Sequence, residues 1–178
     1  MEKYLLAGGV ACAVAGAYMD VRSARIPNRL TYGALLAGLV VRFFLGRWGG
    51  VLGVGEGLLA ALLCGGIFLV FFMLGGMGAG DVKLMAAIGC WAGIRQGLII
   101  LLATAIAGGL LAVAYMVFYR RASRTIHNLG SLLRFHLTSG LRSHPEINLK
   151  SSDAIKMPYA VAIAIGTVYC MGLLLLRR

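Results

Sequence analysis

Residues 97–118 read GLIILLATAIAGGLLAVAYMVF, twenty-two in a row without a charge or a proline. At 1.5 Å per helical residue the run is about 33 Å long, enough to cross a hydrocarbon layer about 30 Å thick. No water is available there to satisfy backbone N–H and C=O groups, so a run of this kind is a membrane helix. Further apolar runs lie at 4–19, 30–46, 56–74, 82–94 and 157–176. Of the 178 residues 60% are hydrophobic and 13% charged, too few charges to coat a water-soluble globule. The 26 glycines follow neither a collagen period nor the polar context of a linker. Soluble, fibrous and disordered classes are thereby excluded. The expected fold is all-α, a single polytopic membrane domain over 1–178 with about six transmembrane helices. The short run at 82–94 is expected either to tilt or to begin in an irregular stretch enclosed by the bundle.

The 17 basic and six acidic residues give a net charge of +11, but their placement argues against a nucleic-acid partner. Lys and Arg concentrate between apolar runs, where they set orientation and meet anionic lipid. Glu2 offsets Lys3 ahead of the first run, whereas Arg22, Arg25 and Arg29 follow it. That flank holds the C-terminal end of the first helix in the cytoplasm and argues against a cleavable signal peptide. Counting crossings then puts 20–29, 75–81 and 119–156 inside, with 11 of the 17 basic residues on or beside that face. Within 119–156, Ile126, Leu129, Leu133 and Leu137 recur at helical spacing among arginines. This basic insertion reads as a cytoplasmic loop or an interfacial helix lying on lipid, rather than as a substrate clamp. Cys12, Cys64, Cys90 and Cys170 lie singly in different runs, as packing residues. With no Cys-x-x-Cys pair, neither a metal nor a cofactor is expected.

Only six acids are present: Glu2, Asp20, Glu56, Asp81, Glu146 and Asp153. Asp20 ends the first crossing and Asp81 precedes the fourth, so parity puts both at one membrane face. An acid at such a position is a functional-site candidate, although Asp20 taken alone also reads as a solvated helix end. Glu146 and Asp153 share that face and read as solvated loop residues. Asp81 lies in Gly75-Gly76-Met77-Gly78-Ala79-Gly80-Asp81-Val82-Lys83, where the glycines permit close backbone approach. Two facing carboxylates in a poorly solvated site share a proton, and that is general acid–base machinery. Lys83 marks the headgroup boundary or else favours the ionised pair. Pro27 and Pro158 suit the first turns of helices, and Asn28 and Thr31 offer polar atoms at the same entrance.

Three segments in order resemble the type IV prepilin peptidases, membrane aspartyl peptidases of the GxGD type. Asp20-Val21-Arg22-Ser23-Ala24-Arg25-Ile26-Pro27-Asn28 resembles the first motif, Gly78-Ala79-Gly80-Asp81-Val82-Lys83 the second, and Met157-Pro158-Tyr159-Ala160 a Pro-Tyr signature. The resemblance implies that Asp20 and Asp81 are the catalytic pair, with Gly78, Gly80, Lys83, Pro27, Asn28, Pro158 and Tyr159 in support. It further implies removal of the basic leader from a prepilin-like precursor with a hydrophobic stem, at the cytoplasmic face of the inner membrane. About ten residues join the first two helices, without the insertion that longer members associate with N-methylation. The chain is therefore similar to the short forms of tight-adherence (Flp) pilus systems and archaeal preflagellin peptidases. Two other classes are set against this reading: a small proton-coupled transporter, which needs acids near mid-helix, and a non-catalytic pilus or secretion assembly protein.

Overall fold

The computed structural model describes residues 2–45, 50–118 and 157–176. They form six helices: α1 (Glu2–Ser23), α2 (Asn28–Leu45), α3 (Gly50–Met73), α4 (Ala79–Ala92), α5 (Ile94–Phe118) and α6 (Tyr159–Leu176). The chain is an all-α polytopic membrane protein, and α1, α3, α5 and α6 are long and apolar enough to cross a bilayer. The basic insertion expected at 119–156 lies outside the described residues.

The short fourth run is the centre of the molecule. Around α4 the others form a ring in the order α1, α2, α3, α5, α6 and back to α1, and α4 touches all five. At 14 residues, α4 is about 21 Å long, too short to cross alone. A helix walled by protein on every side has no such requirement. Leu84, Met85, Ala87, Ile88 and Cys90 of α4 are fully buried, whereas Leu98, Leu102, Ile106, Leu110, Val113 and Val117 form an exposed stripe on α5. Leucines outside, with Thr31, Arg42, Asp81, Gln96, Thr104 and Thr167 inside, are the distribution of a protein whose solvent is lipid. All four cysteines are free and buried, as packing residues should be.

Where helices meet, small residues let the backbones close up. A Cβ on Gly89 of α4 would stand 2.7 Å from the Ala60 carbonyl oxygen of α3. One on Gly16 of α1 would stand 2.7 Å from Leu84 Cδ2. The turn between α3 and α4 is equally specific. Gly76 N–H donates to Phe71 O at 3.0 Å and Gly75 N–H to Phe72 O at 2.9 Å, with Gly75 at φ +79°. This is a Schellman stop, which requires the left-handed conformation that glycine adopts without strain. Met77 then tucks into the core, so the chain enters α4 from inside the bundle.

Helix α3 begins at Gly50, six residues before the apolar run at 56–74. Glu56, the first residue of that run, thus lies inside the helix rather than at its start. Its charge is met by Arg42 at 2.9 Å, an ion pair that hydropathy does not register.

Candidate active site

Helix α1 carries Asp20 one turn beyond Gly16, and α4 carries Asp81 one turn before Leu84. The helices run antiparallel, so the Gly16–Leu84 contact puts both acids on the facing sides at the same end of the bundle. Asp81 occupies the third position of α4, where its Oδ2 accepts from the Gly78 N–H at 3.2 Å, one half of a capping box. It is only 8% exposed. Burial first, and the neighbouring Asp20 charge second, push its carboxyl from 3.8 up to about 6, with the Gly78 N–H acting the other way. Its proton is therefore exchanged close to the neutral range, as a general acid or base needs.

Asp20 is half-buried, and its Oδ2 accepts from the Ala160 N–H at 3.3 Å. That N–H is one of those that the first turn of a helix leaves without an intrahelical partner. Pro158 has no N–H to offer, and its carbonyl accepts from Val161 N–H at 3.1 Å. The Pro-Tyr segment thus presents a backbone donor to Asp20. Tyr159 lies within electrostatic reach of Asp81, with its ring edge-on to Phe68 at 6.0 Å.

The segment between α1 and α2 closes against the glycine-rich loop. A Cβ on Gly80 would come within 3.1 Å of Ile26 Cβ, so the second motif seats the first there. Lys83 Nζ donates to Asn28 Oδ1 at 2.8 Å and lies 5.2 Å over the Tyr32 ring centroid. Of the two readings of Lys83, the geometry adds a third: it ties α4 to α2. Pro27 is exposed and serves through its carbonyl, which accepts from Leu30 N–H at 3.1 Å to open α2.

Asp20, Asp81, Gly78, Gly80, Lys83, Asn28, Pro158 and Tyr159 therefore gather at one end of the molecule. Sequence reasoning missed Ile26 as the contact for Gly80, Gly16 as the residue that aligns α1, and the Ala160 N–H. Gly16 carried a usable signal in its spacing of four from Asp20; the backbone donor carried none. Among the described residues, no group of three or more His, Cys, Asp and Glu is placed to hold a metal ion.

The type IV leader peptidase family matches residues 7–113, more than half of the chain and both aspartate segments. This chain is a member of that family. Type IV leader peptidases are hydrolases, so the carboxylates at the end of α1 and the start of α4 belong to a membrane peptidase. No curated protein and no solved structure matches the chain.

Proposed function

We propose that this leader peptidase is an aspartyl endopeptidase that removes the short leader from prepilin-like precursors at the cytoplasmic face of the inner membrane. The convergence of Asp20 and Asp81, brought from distant helices to one end of the bundle, carries the reading. With one proton shared between them, the ionised carboxylate takes a proton from water, and the resulting hydroxide attacks the scissile carbonyl. The protonated carboxyl donates to the developing oxyanion. Collapse of the tetrahedral carbon breaks the C–N bond: the nitrogen leaves as the free amine with the proton that the first carboxylate took from water, and one hydroxyl of the carbon returns a proton to the second carboxylate. One water is consumed, and a new carboxyl and a new amine are released.

A precursor with a basic leader and an apolar stem suits this position. Its stem would lie in lipid beside the bundle, and its basic leader against the anionic headgroups at that face. Only four residues separate α1 from α2, which supports the short form and gives no room there for the insertion linked to methylation. Both acids at the bundle end also favour a peptidase over a proton-coupled carrier, which needs acids partway across. Co-expression of a prepilin with Asp20→Asn or Asp81→Asn is expected to abolish processing, with both variants still inserted. Full processing by either variant rules out the two-carboxylate mechanism, and the same test excludes a non-catalytic assembly role.

A further inference from the structure

The bundle end away from the aspartates holds a second polar cluster, which the hydrolysis does not use. Arg42 of α2 is 2% exposed. Its guanidinium reaches the C-terminal end of α4, where Nε donates to the Cys90 carbonyl and Nη2 to the Trp91 carbonyl at 3.3 Å. Nη1 pairs with Glu56 Oε2 of α3 at 2.9 Å. Gly93, at φ +82°, closes α4 by donating to Gly89 O at 2.8 Å. A Cβ there would stand 2.6 Å from Arg42 Nη2 and 2.8 Å from Glu56 Oε1. Trp91 adds a hydrogen bond from Nε1 to Ala34 O at 2.8 Å.

We propose that Arg42, held by Glu56, is a positioning residue that fixes the height and rotation of α4 and so sets where Asp81 stands relative to Asp20. The inference rests on the aspartyl peptidase reading above. The last carbonyls of a helix lack intrahelical partners and carry the negative end of its dipole, so a bidentate cation there both satisfies and anchors them. Since α4 meets protein on every side, no bilayer boundary sets its depth, and its two ends must. The Gly80–Ile26 seat and the Lys83–Asn28 bond hold one end against the segment that opens α2, and Arg42 holds the other, with Cys90 nine residues or about 14 Å from Asp81. Catalysis is sensitive to such anchoring, because misplacing a reacting group by 1 Å can cost on the order of a hundredfold.

The test uses full-length protein in liposomes with a prepilin, alongside wild type and Asp81→Asn. If wild type does not cleave, the peptidase reading fails; the inference is judged only against active wild type. The double variant Arg42→Met with Glu56→Leu removes the buried Arg42 together with its half-buried partner, so that neither charge is left unpaired. It is expected to keep its thermal midpoint in detergent while kcat falls about tenfold or more and KM stays within about twofold. Arg42→Lys, which keeps the charge but not the two-carbonyl fork, is expected to restore kcat in part. Should the double variant not fold, Arg42→Lys alone decides, by a lowered kcat at unchanged KM. Wild-type kcat in the deciding variant, or a loss confined to KM, overturns the positioning role.

Discussion

The Asp81 carboxyl keeps its proton up to about pH 6 because burial and the Asp20 charge disfavour the anion. Unfolded, the same group titrates at its ordinary 3.8. Between these values the folded protein holds a proton that the unfolded chain has released, so stability falls as pH rises through the window. Above about pH 6 the penalty is complete, at most about 3 kcal/mol for this difference. Asp81→Asn cannot ionise and still accepts from Gly78. It is expected to match wild type below about pH 4 and to exceed it in thermal midpoint at neutral pH; a difference independent of pH would contradict this account. Asp20 and Asp81 were legible in the sequence because acids are scarce and helix parity puts both at one face. The Ala160 N–H was not, since every non-proline residue has one and only the placement of α6 decides which of them Asp20 meets.

Between elements, the interfaces follow the small residues. Gly89→Ala forces a Cβ to within 2.7 Å of a backbone oxygen that no rotamer can move, so α4 must shift away from α3. A loss of about 1–3 kcal/mol is expected, read as a lower thermal midpoint in detergent. Gly66→Ala has nothing within 4 Å of the added Cβ and is the matched control, expected to be neutral or slightly stabilising. Equal losses for the two would mean that general glycine effects, and not the α3–α4 approach, govern the interface. The apolar runs announced six helices, and the shortness of the fourth left open a tilted helix or an irregular start inside the bundle. Arg42 lies within the apolar run at 30–46, where hydropathy records its cost but not its partners, which come from α3 and α4.

For the molecule as a whole, the ring around α4 separates two polar ends, the carboxylates at one and the Arg42–Glu56 pair at the other. With the carboxylate end in the cytoplasm, a membrane-impermeant maleimide should label Ala79→Cys only in inside-out vesicles. Val51→Cys, at the opposite end, should react only in right-side-out vesicles; the reverse pattern would invert the assigned orientation. The sequence by itself determined which segments enter the bilayer, the expected orientation and the candidacy of the two aspartates. Each of these depends on the transfer cost or charge of a segment considered alone. Only the tertiary structure decided that the shortest helix stands in the centre, that Ile26 seats on Gly80, that α6 offers a backbone donor to Asp20 and that Arg42 anchors α4. Those outcomes depend on side chains and carbonyls tens of residues apart meeting within a few ångströms, and the relative energies of such pairings are not properties of any one segment.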